Sequence, residues 1–198
     1  MARQNRVLPT GAIVAHPARG LFMGNRGCLH DAGGRIVRHA RGRRWICCLT
    51  AFRGRRRPLM RPGHYTELFF LDEAVALAAG HRPCAECRRA DYEAFRDAWV
   101  AALGGPRPAA DAIDRALDAD RGGPAPGPVA AASLPEGAFA RDAQGALLLV
   151  WRARLRPFTP DGYGPPAPVA GTVSPLTSRT IRAALAAGYR PRVHDSAS

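Results

Sequence analysis

The sequence predicts an α+β fold in which a small antiparallel sheet and flanking helices carry a loop with two cysteines. A run rich in β-forming residues, Arg44–Phe52, indicates a strand. An alanine-rich run indicates a short helix, because Asp72 is a good N-cap and Gly80 can close the helix in the left-handed conformation. An amphipathic run from about Ala90 to Leu103 indicates a second helix directly after the cysteines.

The apolar face of the second helix is predicted to comprise Tyr92, Phe95, Trp99 and Leu103. A third helix is expected over residues 111–120, with Ile113 and Leu117 as its apolar contacts. These two faces are the helical part of the predicted core.

The remaining strands are predicted from short β-type runs between turn residues. Ala12–Ala15 and Gly34–Val37 indicate strands near the start of the chain. Residues 53–57, which include Gly54, indicate a hairpin turn, after which residues 58–60 and 64–71 are expected to return antiparallel to the strand at 44–52.

The chain divides into three predicted parts. Residues 1–120 form the α+β domain with the cysteine loop, residues 121–133 form a glycine-, proline- and alanine-rich linker or loop, and residues 134–198 form a small C-terminal β-hairpin/helix unit. The hairpin is expected around Asp142–Gly145, and the last helix is expected to follow a strand at Val173–Thr177. At 198 residues, 46% of them hydrophobic, the chain can bury a core.

The positive charge is concentrated in the first third of the sequence. The net charge is +13, and residues 1–64 contain 14 arginines but one acidic residue, Asp31. Such a distribution is typical of a surface that binds polyphosphate, and an acidic partner protein is the alternative. The predicted nucleic-acid-binding residues are Arg41, Arg43, Arg44, Arg53, Arg55, Arg56, Arg57 and Arg61. Trp45, which lies among them, is expected to stack on a base.

The cysteines indicate a metal site. Five cysteines in a chain with neither a signal peptide nor a long apolar run favour metal binding or free thiols over disulfides, and the cytoplasm is the expected compartment. Cys84 and Cys87 form a CxxC loop, and a helix N-terminus next to it favours the thiolate form. Zn²⁺ is the metal expected for such ligands, and a redox-active CxxC is the alternative.

Residues 69–89 resemble one segment of a known family. The metal-binding domain of the bacterial adaptive-response DNA repair protein Ada contains a strand, an alanine-rich helix and a Gly-aromatic-Arg-Pro-Cys-x-x-Cys knuckle, which Gly80–Cys87 matches. The resemblance implies a zinc site and a DNA-associated role, and it covers about a tenth of the chain. The family's upstream Cys-x-x-x-Cys pair has no counterpart here, so neither four thiolates nor a methyl-accepting cysteine can be transferred.

The other metal ligands are predicted from strand geometry. Cys47 and Cys48 point to opposite faces of a strand, so one can bind metal while the other lies in the core, and Cys48 is the predicted third ligand. His30 is the predicted fourth ligand, with Cys28, His64, Cys47 or an aspartate as alternatives.

These features predict a zinc-binding, nucleic-acid-binding module of DNA repair or regulation type, with DNA as the expected partner. The alternative is a metal-dependent nuclease or another zinc hydrolase that acts on nucleic acid, with a carboxylate near a metal-bound water as general base. Candidate groups for that role are Tyr65, Glu67, Asp72, Glu73, His64 and the His30-Asp31 pair.

Overall fold

The computed structural model describes residues 2–54 and 58–198 of the chain. Within this part of the chain it contains two β-sheets and four α-helices, so the predicted α+β class is confirmed. No helix in the described ranges combines the length and the apolar character needed to cross a membrane.

The first sheet has six strands in the spatial order β2-β1-β5-β3-β4-β6. The strands are β1 (Gln4–Val7), β2 (Ile13–Ala15), β3 (Phe22–Asn25), β4 (Ile46–Leu49), β5 (Leu68–Phe70) and β6 (Arg82–Pro83). Two pairings are parallel, β1 with β5 and β4 with β6, so the sheet is mixed and the prediction of a small antiparallel sheet is wrong. The chain passes from β5 to β6 through a helix, and such a crossover delivers a parallel strand.

The predicted hairpin between residues 44–52 and 64–71 is also wrong, because β3 lies between β4 and β5. In this register Met23 is opposite both Cys48 and Phe69. Gly24 permits the arrangement, since a β-carbon there would come within 2.4 Å of the Phe70 ring. The predicted strand at residues 34–37 is reduced to a single bridge between His30 and Ile36.

The second sheet consists of strands from residue 129 onward in the order β11-β10-β9-β8-β13-β7, with β12 paired to β10. The strands are β7 (Val129–Ala130), β8 (Phe139–Arg141), β9 (Leu147–Trp151), β10 (Arg154–Thr159), β11 (Gly162–Tyr163), β12 (Ala167–Pro168) and β13 (Thr172–Pro175). The predicted hairpin is confirmed: β8 and β9 are antiparallel, and the Asp142 carboxylate accepts from the Gln144 and Ala146 amides in the turn.

The four helices are α1 (Glu73–Ala78), α2 (Arg89–Leu103), α3 (Ala110–Gly122) and α4 (Arg179–Ala186). Asp72 caps α1 as predicted, because its carboxylate accepts from the Val75 amide at 2.9 Å. Gly80 follows α1 with a φ of 83°, as the left-handed closure requires. Leu103, however, is 51% exposed and does not belong to the buried face of α2.

Two hydrophobic clusters form the core, and each contains residues from both sides of residues 121–133. In the first cluster Leu77 and Phe95 pack with residues such as Ile181. In the second cluster Phe70 packs with residues such as Phe139. Residues 1–120 and 134–198 therefore share their cores.

Candidate metal centre

Strand β6 places the CxxC loop beside β4. The Arg82 amide donates to the Trp45 carbonyl at 3.1 Å, and the Cys84 amide donates to the Cys47 carbonyl at 2.9 Å. These bonds continue the parallel pairing of β4 with β6. The start of the loop is thereby held next to the strand that carries Cys48.

Three cysteines come together at this point. The Sγ atoms of Cys48, Cys84 and Cys87 all lie within 4.8 Å of one another. A tetrahedral zinc ion with Zn–S bonds of about 2.3 Å separates its sulfur ligands by roughly 3.8 Å. The three cysteines can therefore hold a metal ion with little movement.

Backbone amides point at two of the sulfur atoms. The Leu49 amide donates to the Cys87 Sγ at 3.4 Å, and the Glu86 amide donates to the Cys84 Sγ at 3.5 Å. Hydrogen bonds to the charged form favour the thiolate. Hydrogen bonds from the Cys48 and Cys87 thiols lower the pKa of Cys84, and the same contacts raise the pKa of Cys48. The hydrogen bonds within the trio thus favour a thiolate among the three sulfur atoms.

Cys47 and Cys28 do not belong to this group. Cys47 is 1% exposed, its Sγ accepts from the Arg88 guanidinium at 3.3 Å, and burial raises the pKa of its thiol. Cys28 contacts the carbonyl of His30 through its Sγ at 3.7 Å. The alternation of side chains along β4 thus places Cys48 with the knuckle and Cys47 in the core.

His30 makes other contacts. Its Nδ1 lies 2.6 Å from the Thr66 hydroxyl, and its Nε2 lies 3.3 Å from the Arg61 carbonyl. The side chain is buried and links the loop at residue 30 to the segment before β5. The group of potential metal ligands found in the described residues contains only the three cysteines, and neither His30 nor His64 is part of it.

All three cysteines line a cleft with a volume of about 280 Å³. Tyr65 and Glu67, two of the candidate groups for acid–base chemistry, line the same cleft. Glu67 is buried, and its carboxylate accepts from the Met60 amide at 2.7 Å. The apolar part of the wall comprises Met23, Ile46, Leu49, Phe52, Leu59 and Phe69.

A second cleft of about 810 Å³ adjoins the first, and Cys84 lines both. Three of the predicted nucleic-acid-binding arginines, Arg41, Arg43 and Arg44, line this second cleft. Arg43 forms an ion pair with Asp111 at 2.9 Å. The candidate metal centre and this arginine group therefore lie along one continuous depression.

The other predicted arginines lie elsewhere or outside the described residues. Arg53 follows β4, and its guanidinium lies 5.0 Å from the centre of the Phe52 ring. Arg61 contacts His64. Neither lines the second cleft. The predictions for residues 55–57 fall outside the part of the chain that the structure describes.

Trp45 is not placed to stack on a base, contrary to the prediction. It is 6% exposed, and the guanidinium carbons of Arg26 and Arg121 each lie 4.1 Å from its ring centre. Arg26 is itself fully buried and donates to His81 at 3.2 Å. The tryptophan thus packs against one buried and one half-buried arginine.

Besides the predicted cap at Asp72, Asp72 and Glu73 bind the C-terminal part of the chain, a structural role that the sequence did not predict. The Asp72 carboxylate accepts from the Tyr163 hydroxyl at 2.7 Å and from the His194 amide at 3.1 Å. Glu73 accepts from the Tyr189 hydroxyl and from the Arg192 amide. The one available signal was a carboxylate directly before an otherwise apolar helix, which indicates a buried and paired charge. Neither group lines the clefts beside the cysteines.

No protein-family model, no curated protein and no solved structure matches this chain. Its function is therefore inferred from its own residues. The relevant features are the three clustered cysteines and the two adjoining clefts. The wall of the first cleft contains both polar and apolar side chains, and the second cleft is lined by arginines.

Proposed function

We propose that the chain is a zinc-binding protein whose arginine-rich surface binds nucleic acid in DNA repair or regulation. The observation that carries the proposal is the cluster of Cys48, Cys84 and Cys87, with sulfur atoms within 4.8 Å, beside a cleft lined by arginines. The metal ties β4 to the knuckle and so fixes the loop that presents Arg41–Arg44.

The ligand set favours zinc. Thiolates are soft ligands that select zinc, copper(I) and iron–sulfur clusters, and a CxxC pair with a third cysteine from a neighbouring strand is typical of zinc sites. The amides of Leu49 and Glu86, which donate to thiol sulfur atoms, stabilise the negative charge that zinc binding requires. The resemblance of residues 69–89 to the zinc-binding domain of Ada supports the same metal.

The charge distribution favours nucleic acid as the partner, with DNA as the expected form. Residues 1–64 contain 14 arginines and one acidic residue, so this third of the chain carries the whole net charge of +13. A basic surface of this kind supplies the non-specific, salt-dependent part of nucleic-acid affinity.

Metal analysis of the purified chain tests the first part of the proposal. We expect one zinc ion per chain, which is lost when Cys48, Cys84 or Cys87 is replaced by serine. Cys28→Ser and Cys47→Ala are the matched controls and are expected to retain it. A natively folded chain without metal, or equal zinc content in all five variants, would refute the proposal.

Anisotropy titrations with labelled duplex DNA, single-stranded DNA and RNA test the second part. We expect binding that weakens with salt. Absence of binding to all three near micromolar concentration at low salt contradicts a nucleic-acid role and favours an acidic partner protein.

A metal-dependent hydrolase that acts on nucleic acid is the second candidate. The observation that favours it is the number of ligands: catalytic zinc sites use three protein ligands and leave one position for water. Glu67, in the same cleft, is a carboxylate that could accept a proton from such a water. Plasmid cleavage that depends on zinc and is abolished by Cys84→Ser and by Glu67→Gln is the expected result for this candidate. Cleavage that both variants retain indicates contamination.

A further inference from the structure

The cysteine cluster contains three candidate ligands in the part of the chain that the structure describes. Among the described residues the potential ligand group ends at Cys48, Cys84 and Cys87. Residues 1 and 55–57, which the structure does not describe, are methionine and arginines, so they include no histidine, cysteine or carboxylate. A tetrahedral zinc ion held by these thiolates keeps one position for a ligand from outside the protein.

The cleft along the cysteines has the size and lining of a site for one planar ring. Its volume of about 280 Å³ lies just below the range of about 300–1,000 Å³ for pockets that hold drug-sized molecules. Aromatic and aliphatic side chains, among them Phe52 and Phe69, form one part of its wall. Asn25, Thr50 and Tyr65 supply polar groups, a combination typical of ligand sites with defined orientation.

The adjoining cleft is lined by four arginines and three carboxylates, so its lining has an excess of one positive charge. Of its three acidic residues, Asp111 is paired with Arg43 and Asp114 is paired with Arg82, and the third, Glu86, lines both clefts. Arg41 and Arg44 line the same cleft and are exposed, and no carboxylate in the described part of the chain forms an ion pair with either. Two unpaired guanidinium groups beside a cleft favour a phosphate.

The geometry points to a nucleotide site: an unpaired base enters the 280 Å³ cleft and reaches the open metal position, while its phosphate lies against Arg41 and Arg44. The inference rests on the proposed metal centre and names the ligand of that centre. Cys84, Asn25 and Tyr65 line both clefts, so ring and phosphate would occupy neighbouring parts of one depression. A free nucleotide and an unpaired nucleotide within a single strand share this chemistry, whereas a duplex hides its bases.

Cobalt(II) substitution of the full chain provides the test. Cobalt in a thiolate site absorbs visible light, and its bands report the number of thiolates and the exchange of the remaining ligand. We expect an intensity that corresponds to three thiolates. Cytidine monophosphate and a single-stranded oligonucleotide are expected to shift the bands in a saturable manner. Inorganic phosphate and a blunt duplex are expected to leave them unchanged.

Arginine variants test the phosphate part. The double variant Arg41→Ala/Arg44→Ala is expected to raise the Kd for cytidine monophosphate by at least about tenfold, because each charge-assisted hydrogen bond lost weakens binding. Arg154→Ala, which removes an exposed arginine from β10, is the matched control and is expected to leave the Kd unchanged. Equal affinity of the double variant and the wild type overturns the placement of the phosphate.

The outcomes separate this inference from the proposed function. If the chain binds no metal, the proposed function itself is refuted. If the cobalt bands indicate four protein ligands, the chain is still a metal-binding protein but the nucleotide site is overturned. The same holds if neither the nucleotide nor the single strand shifts the bands. A shift with inorganic phosphate as large as that with the nucleotide, or with the duplex as large as with the single strand, also overturns it.

Discussion

The guanidinium of Arg88 and the carboxylate of Glu73 form an ion pair with a separation of 2.7 Å, and the two side chains are 0% and 1% exposed. Arg88 precedes α2 directly after the CxxC loop, and Glu73 begins α1. Arg88 also donates to the Cys47 sulfur and pairs with Asp91. The N-terminal ends of two helices and the end of the CxxC loop thus meet at one buried cation.

Removal of this cation is expected to destabilise the fold strongly. Arg88→Met leaves the Glu73 carboxylate buried without a counter-charge, and breaking a buried pair in this way lowers the unfolding free energy by about 3–5 kcal/mol. Denaturant unfolding measures the loss. Arg88→Met/Glu73→Gln should recover part of it because the fully buried lone charge at Glu73 is removed, while Asp91 is partly exposed. If the double variant is as unstable as the single one, the loss comes from packing and not from charge.

The stability contributed by Asp72 is expected to fall as the pH rises. Burial raises the pKa of the Asp72 carboxyl, although the Tyr163 hydroxyl and two amides donate to it. In the unfolded chain the pKa is about 3.9. Between that value and the raised folded value the native state binds more protons than the unfolded state, so stability decreases with pH there. Wild type should therefore lose stability relative to Asp72→Asn from about pH 4 upward. Urea unfolding at a series of pH values checks this, and parallel curves for the two proteins would rule it out.

His81 is expected to stay neutral in mildly acidic solution. Burial and the neighbouring positive charge of Arg26 lower the pKa of its imidazole well below the usual value. The unfolded chain gains this proton below about pH 6.5, so His81 contributes stability that is lost as the pH falls below that value. NMR of the imidazole resonances measures the effect directly. A His81 signal that titrates near pH 6.5 in the folded chain contradicts the prediction.

Metal removal is expected to loosen β4 and the knuckle before the rest of the fold. Without the ion, the Leu49 and Glu86 amides keep only their contacts to thiol sulfur atoms, whereas α4 and the second sheet keep their packing in the cluster around Ile181. Hydrogen exchange with and without chelator should show faster exchange at residues 46–49 and 84–89. Faster exchange that is uniform over the chain would show that metal controls global unfolding instead.

Nucleic-acid affinity is expected to depend steeply on salt. Six or more phosphate contacts reduce the affinity by about a thousandfold or more between about 50 and 200 mM salt. Arg41→Ala/Arg44→Ala should reduce the slope of log K against log salt by about 1.8, because each contact contributes roughly 0.9. Arg154→Ala should leave the slope unchanged. An unaltered slope in the double variant would place the phosphate contacts on other arginines.

Features that depend on neighbouring residues in the sequence could be predicted. The Asp72 cap, the left-handed Gly80 and the turn at Asp142–Gly145 follow from local backbone chemistry. The choice of Cys48 over Cys47 followed from strand alternation, and the structure places Cys48 with Cys84 and Cys87. The CxxC spacing and the two-residue alternation of side chains in a strand depend only on neighbouring residues, so they can be recognised in the sequence.

Features set by tertiary contacts could not be predicted in this way. The insertion of β3 between β4 and β5 depends on the fit of the Phe70 ring over Gly24, which sequence spacing does not reveal. His30 contacts Thr66, 36 residues away, instead of the cysteines. Trp45 lies against arginines at positions 26 and 121. In each case the position of the residue depends on a contact with a residue that is distant in the sequence, and the local sequence does not reveal that contact.

The contacts of α1 with residues 189–194 have a consequence for biosynthesis. Glu73 and Arg192 are separated by 119 positions, so the ribosome needs roughly 6–24 s to make the second residue after the first, at about 5–20 residues per second. During this interval the carboxylates of Asp72 and Glu73 lack the hydrogen-bond donors that residues 189–194 supply. These hydrogen bonds of the amino-terminal half therefore form only after residues 189–194 have left the exit tunnel.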